Sequence, residues 1–397
     1  METIKENKEI NILISGASVA GLTTAYWLVK YGFKVTIVER ASHIRAGGQA
    51  LDVRGPALEV AKRMGILDTI RNNSTKLKGM SVVDALSAKE TFSSTEGTIT
   101  AGRFDSPDVE ILRDDLCRVL FETVGNQVTY IFNDSILSID QDQTGVDVTF
   151  TNAAPQRFDL VIGADGLRSN VRKMVFSPDE QFIRYLGYYV AIFTIPNFLN
   201  LDYWEVFFEN EGIPLATYIV KEKNSEARTY LGFGSEKPID YDHRDIASQK
   251  QLINERVENI GLEIPKIKEY MQDSSNFYFD SINQIIMDSW SKGRVVLVGD
   301  AGYSASLSTG QGTTVAMVGA YVLAGELATH KYDLQKAFSN YESELREYVN
   351  NNQKLAYDPS TDLQLTFAQS SEEESITTPE NMPDFGQATI PFTFKNY

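Results

Sequence analysis

The chain has 397 residues, more than the ~250–300 at which a single core usually divides, and its 42% hydrophobic and 23% charged residues are those of an ordinary globular protein. The 37 basic and 54 acidic residues leave a net charge of −17, which argues against nucleic acid or an anionic membrane as partner, because phosphate binding needs clustered Lys and Arg. A single cysteine, Cys117, excludes an internal disulfide, and the separated His43, His243 and His330 have no metal-ligand spacing, so neither a metal centre nor a His-based triad is expected.

Residues 10–15 form a short apolar run, 22–31 carry apolar residues at helical spacing, and 34–38 are rich in β-branched residues, with Gly32 as the break after the helix. This is a βαβ opening whose second strand ends in Glu39-Arg40. Gly47-Gly48 precedes a helical stretch at 56–64, closed by Gly65. Residues 80–103, rich in Ser, Thr and Gly with alternating apolar positions, predict a hairpin outside the first unit. Helix is predicted at 109–124, strands at 128–139 and 146–150, and a buried strand with a tight turn at 159–166. Cys117 lies on the apolar face of that helix, the place of a buried thiol.

From about 185 to 279 aromatic and β-branched residues alternate, which predicts an antiparallel sheet with one covered face and a helical insert at about 246–271. A buried strand at 294–298, a long apolar helix at 315–327 and an amphipathic helix at 333–355 follow. Residues 358–397, polar with scattered aromatics and prolines, read as a short helix with a tail. The polar start of the chain and the lack of any run of ~18 apolar residues lead us to expect a cytoplasmic protein without a membrane partner.

Two glycine-rich segments carry the chemistry. Gly16-x-Ser18-x-x-Gly21 follows a strand and opens a helix, with Glu39 about twenty residues on. Gly16 permits the sharp turn, Gly21 permits close packing of helix on strand, and the loop amides face a pyrophosphate, while Glu39 is placed to accept from ribose hydroxyls. Gly299-Asp300 ends the buried strand at 294–298, and Gly310-Gln311-Gly312 then opens the apolar helix. Such a helix start offers unpaired amides and a positive dipole end to an electron-rich ring edge. Asp300 is placed to accept from a ribityl chain.

With Asp165-Gly166 between them, these segments resemble the FAD-dependent aromatic hydroxylases, the class A flavoprotein monooxygenases of the p-hydroxybenzoate hydroxylase fold. The resemblance covers roughly residues 10–355. It implies an α/β fold in which a Rossmann-like FAD-binding domain (1–79, 104–184 and 280–330) carries an inserted, mostly antiparallel substrate-binding sheet (80–103 and 185–279), with C-terminal helices and tail at 331–397. By match, Gly16, Ser18, Ala20, Gly21, Glu39 and Arg40 would bind the ADP half of FAD. Arg113 matches the family arginine near the flavin, and Asp165, Asp300, Gly310, Gln311 and Gly312 complete the cofactor set.

A narrower resemblance rests on Arg45-Ala-Gly-Gly-Gln-Ala-Leu-Asp52-Val-Arg-Gly and on Val-Gly-Ala-Tyr-Val-Leu-Ala-Gly-Glu-Leu after the second glycine loop. It is similar to the tetracycline-inactivating monooxygenases, called tetracycline destructases. Within that family Arg45 would contact NADPH, Asp52 would lie near the flavin, and a C-terminal bridging helix would fall at 355–367. Tyr303 stands where the wider family often has histidine, and Ala305, Ser306 and Leu307 replace its prolines, so a more mobile loop is expected there.

The resemblance implies that NAD(P)H reduces FAD, that oxygen adds to form a flavin C4a-hydroperoxide, and that its distal oxygen passes to a tetracycline. The scarcity of His and Cys agrees with chemistry carried by a cofactor. The substrate would be selected by Tyr188, Phe193, Phe207, Tyr303 and Thr309. We expect a monomer. Hydroxylation of another phenolic or polyketide metabolite, and sequestration of a planar ligand by a flavin-bearing protein, remain as alternatives.

Overall fold

The computed structural model describes residues 9–209, 215–220, 226–330, 333–357 and 389–397. Strand β1 (Asn11–Ser15) is continuously apolar because it is covered on both faces; Ile12, Leu13 and Ile14 have no accessible surface. It feeds helix α1 (Val19–Lys30), and β2 (Lys34–Glu39) returns parallel to it with Thr36 opposite Leu13. A short strand β3 (Ala50–Val53) leads to helices α2 (Pro56–Met64) and α3 (Leu67–Asn72). The hairpin β4 (Gly79–Asp84) and β5 (Glu90–Ser94) follows, then the two-residue strands β6 (Gly97–Thr98) and β7 (Gly102–Arg103). Strand β8 (Val109–Leu112) runs straight into helix α4 (Arg113–Val124). After β9 (Thr129–Phe132), an antiparallel meander of β10 (Ile136–Gln141), β11 (Val146–Phe150) and β12 (Gln156–Phe158) precedes β13 (Leu160–Gly163) and helix α5 (Asn170–Phe176).

The second half begins with β14 (Ile183–Pro196), β15 (Trp204–Glu209), β16 (Leu215–Val220) and β17 (Glu226–Gly234). Helices α6 (Ile246–Arg256) and α7 (Glu263–Asp273) intervene before β18 (Tyr278–Ile285). The chain closes with β19 (Ser291–Lys292), β20 (Val295–Leu297), the one-turn α8 (Asp300–Tyr303), α9 (Gly312–His330) and α10 (Leu334–Lys354).

One sheet has the order β19-β20-β13-β1-β2-β9, parallel except for β19. A second has the order β18-β14-β17-β16-β15-β4-β5, antiparallel except where β15 meets β4. Helices α6 and α7 cover one face of this second sheet through Ile253, Ile264, Ile267 and Met271. The other face carries Val190, Ile192, Ile219 and Tyr230 and meets Ala50 of β3. The Tyr230 hydroxyl accepts from the Ala50 amide at 2.7 Å, which fastens the two-stranded ribbon of β3 and β8 to this sheet.

Two local expectations change, and a third falls largely outside the described residues. The helix expected over 109–124 is a strand and then a helix, because Val109–Leu112 pairs with β3 along its whole length. The strand expected over 128–139 is split between two sheets at Asn133, which turns with φ +55°. Residues 358–388, with most of the bridging helix expected at 355–367, lie outside the described residues; Leu355–Tyr357 is a single 3-10 turn. Residues 389–397 are not helical. They pack on α2, α9 and α10, with Phe394 and Tyr397 against Tyr321, and Phe392 against Tyr348.

Candidate functional site

The two glycine segments meet in space. Gly16 has φ +106°, and a Cβ there would lie 2.5 Å from the Ala164 carbonyl oxygen, so only glycine fits between β1 and β13. A Cβ on Gly21 would lie 2.0 Å from the Gly16 carbonyl oxygen, which sets how closely α1 approaches the loop. Gly299, φ +65°, lies against Ala20 of α1 and Ala316 of α9. The N-termini of α1 and α9 are thereby brought to either side of Gly299, and both carry the partial positive charge of a helix start. Ser18 precedes α1 in an extended conformation, its hydroxyl 3.5 Å from the buried Cys117 thiol. Glu39 at the end of β2 accepts from the Ala17 amide at 2.8 Å and the Ala41 amide at 2.9 Å, and Arg40 beside it is exposed. Each carboxylate oxygen has a second lone pair for a ligand hydroxyl.

Arg113 shapes the 45–50 segment. Its guanidinium donates to the carbonyls of Arg45 at 2.7 Å and Gly47 at 2.6 Å, and its own amide donates to Gln49 at 3.0 Å. Gly48 lies so close that a Cβ would come within 2.2 Å of Arg113 Nε. Arg113 thus acts on the chain from inside, while the Arg45 side chain is exposed, 5.8 Å from the Tyr278 ring centroid. Asp114 ties the 45–50 segment to the second sheet by accepting from the Gly47 amide at 2.9 Å and from Arg228 of β17 at 2.7 Å.

Asp165 is engaged in its own turn. It accepts from the Ser169 hydroxyl and from the amides of Asn170 at 2.8 Å and Val171 at 3.1 Å, which organises the start of α5. Burial pushes its carboxyl up from the ordinary range, and does the same to Asp300 at the start of α8. Gly310 turns with φ +63° beside Asp52 and Arg54. Gln311 is fully buried, yet neither its amide nitrogen nor its amide oxygen has a protein partner, and the Thr314 hydroxyl is in the same condition. Gly312 begins α9, and a Cβ there would meet open space.

Of the residues expected to select substrate, Tyr188 and Phe207 fall on the face of the second sheet opposite α6 and α7. Phe193 falls on the other face, packed with Phe277 under the helices, because alternation along β14 puts 193 opposite to 188, 190 and 192. Tyr303 is withdrawn into the core: its hydroxyl is 2.7 Å from that of Tyr341, and its ring packs on Trp290. It fits because residue 319 is glycine; a Cβ there would lie 2.1 Å from the Tyr303 hydroxyl. Thr309 is buried and donates to the Ser306 carbonyl at 3.0 Å. The loop expected to be mobile is instead pinned without proline, with Gln284 donating to the Ala305 carbonyl at 3.1 Å and Gln353 to that of Ser304 at 3.2 Å.

A group of carboxyls at this junction escaped the sequence reading. Asp52, 2.9 Å from Arg54, faces Glu110 across β3 and β8, and Glu205 of β15 lies near both. Burial pushes Asp52 up to about 6 against the pull of Arg54. Burial, then the charges of Asp52 and Glu205, push Glu110 up to about 8. Burial pushes Glu205 up to about 7 despite hydrogen bonds from Thr100. The available signal was an acidic residue inside an apolar strand, Val-Glu-Ile-Leu and Trp-Glu-Val-Phe-Phe.

Among the described residues no group of His, Cys, Asp and Glu is placed to hold a metal ion, and no helix is long and apolar enough to cross a membrane. Residues 9–351 match the family model described as FAD binding domain. A flavin-dependent monooxygenase of Legionella longbeachae is 41% identical over 350 residues, 88% of each chain. An uncharacterised protein of Mycobacterium tuberculosis is 48% identical over 348 residues, 87% of this chain and 92% of that one. Among solved structures, the crystal structure of tetracycline destructase Tet(55) covers 100% of both chains, with 36% identity and a TM-score of 0.84.

Proposed function

The chain belongs to the FAD binding domain family and is an FAD-dependent monooxygenase of the p-hydroxybenzoate hydroxylase fold; from this we propose that it hydroxylates, and so inactivates, a tetracycline. The observation that carries the substrate is the end-to-end likeness to a tetracycline destructase at 36% identity. Family membership sets aside the reading of a non-catalytic sequestering protein.

The residues fit FAD. Gly16, Ser18, Ala20 and Gly21 at the start of α1 would hold the pyrophosphate on backbone amides. Glu39 and Arg40 would face the adenosine, and Asp300 the ribityl chain. The orphaned amide of Gln311, the Thr314 hydroxyl and the α9 N-terminus between Gly310 and Gly312 would meet the polar edge of the ring. Asp52 borders this edge, and Arg113 holds the 45–50 backbone beside it. Asp165 acts through the turn at Gly166.

Bound FAD supplies oxygen activation, with NADPH as the reducing co-substrate. In balance, substrate-H, O2, NADPH and one proton give substrate-OH, NADP+ and water. The chain carries one dinucleotide fingerprint, so NADPH docks transiently, with the exposed Arg45 as its anchor. The protein's own task is to orient the substrate against Tyr188 and the buried 303–310 loop and to exclude water; Phe207 and Thr309 support that surface.

The test is incubation of the flavin-loaded protein with NADPH and several tetracyclines, read by absorbance and mass. A product heavier by one oxygen is expected. Turnover of a simple phenol with no tetracycline product would reassign the substrate to another phenolic metabolite.

A further inference from the structure

Of the carboxyls at the β3–β8 junction, Asp52 borders the proposed flavin edge, while Glu110 and Glu205 lie outside both the cofactor grip and the aromatic face. Asp52 and Glu110 are direct cross-strand partners, which puts their Cβ atoms about 5 Å apart on one side of the ribbon. Glu205 reaches the same place from the second sheet, where it accepts from the Thr100 hydroxyl at 2.9 Å. The facing groups are Arg54 and Asp108 beside Asp52, Thr75 and Thr100 beside Glu110, and Tyr230 of β17 beside all three carboxyls. Glu205 is fully buried and Glu110 is 6% exposed.

Both Glu110 oxygens, one Glu205 oxygen and one Asp52 oxygen lack hydrogen-bond partners, although all are buried. Ionised carboxylates could not be left so at this depth, since an unpaired buried charge is strongly disfavoured. Three carboxyls with one neighbouring guanidinium therefore hold protons in common.

Asp52 is the member with outlets. Asp108, half-exposed and accepting from the Gly55 amide at 3.1 Å, lies beside it and touches solvent. A Cβ on Gly310 would lie 3.6 Å from Asp52 Oδ2, so Asp52 also borders the turn assigned to the flavin edge. We propose that Asp52, Glu110 and Glu205 form a proton relay that stores a proton beside the Gly310 turn and is refilled through Asp108.

The monooxygenase reaction consumes one proton for each oxygen atom released as water. In the relay, Asp52 gives up its proton toward that oxygen and takes one from Glu110, whose O–H bond breaks as the new Asp52 O–H bond forms. The charge left on Glu110 is shared with Glu205 until a proton from solvent returns by way of Asp108 and Asp52. No oxidant or reductant enters these transfers. The relay does not depend on which substrate is hydroxylated, so failure of tetracycline turnover leaves it testable with any accepted substrate.

The experiment compares wild type with Glu110→Gln, both loaded with FAD. The infrared carbonyl band of protonated carboxyls and the proton titration are followed from about pH 5 to about pH 9. The variant is expected to lose about one proton equivalent and part of the band, and to keep its flavin. The alkaline limb of its NADPH-dependent oxygen uptake should move down by about one pH unit. An unchanged band and titration overturn the proposal, as does a lost band with an unmoved pH profile. If Glu110→Gln does not fold, Glu205→Gln is read by the same measurements and the same two outcomes.

Discussion

A Cβ on Gly325 would lie 2.1 Å from Cδ2 of Tyr397, so the Tyr397 ring occupies a notch that α9 opens by having glycine at 325. The ring also packs on Tyr321, and its hydroxyl donates to the buried Glu326 at 2.9 Å and to Glu344 at 3.1 Å. Lys395 adds an ion pair to Glu326 at 3.1 Å.

This contact makes Gly325→Ala informative. Helix propensity alone would stabilise α9 by about 1 kcal/mol, because alanine costs less than glycine in a helix interior. The clash with Tyr397 acts the other way. We expect net destabilisation of about 1–3 kcal/mol, the usual range for overpacking, read as a lower urea midpoint. A gain in stability would show that the notch is not filled in solution.

Gly16→Ala should produce a protein without flavin. Position 16 combines positive φ with a Cβ placed 2.5 Å from a backbone oxygen that cannot move without β13. Gly65→Ala is the control: φ is +75°, but nothing lies within 4 Å of a Cβ, so only conformational strain of about 1 kcal/mol is expected. Flavin absorbance of the two purified variants separates the cases. Equal retention would remove the Gly16 turn from the cofactor site.

Glu205 should make stability depend on pH. Burial raises its carboxyl from 4.5 to about 7, so between these values the native state keeps a proton that the unfolded chain releases. Its contribution is full below about 4.5 and is lost as pH rises through about 7. Wild type should therefore lose stability relative to Glu205→Gln across that window and run parallel to it above. Denaturant midpoints measured at a series of pH values check this, and curves parallel throughout would reject it.

Much of this was legible in the residues because it is local. The βαβ opening, the covered strand at 159–163 and the apolar α9 follow from periodicity and glycine placement over a dozen residues. The cofactor family followed from three short segments and their order. What failed locally failed for non-local reasons. Val109–Leu112 has helical neighbours and becomes a strand because β3 lies beside it. Phe193 and Tyr188 could be put on opposite faces by counting, but which face meets α6 and α7 depended on packing. Tyr303 looked like a residue at the substrate edge, and its true place needed Gly319 and Tyr341, neither of them close in sequence.

The residue order by itself determined the cofactor loops and the class of chemistry, since turn geometry and helix starts are properties of a few consecutive residues. Only the tertiary structure decided which side chains serve those loops. Asp52, Glu110 and Glu205 come from three separate strands, and nothing in their spacing announces that they are neighbours. Their altered acidity arises first from burial and then from neighbouring charges, which exist only once the strands have paired and the sheets have closed over them.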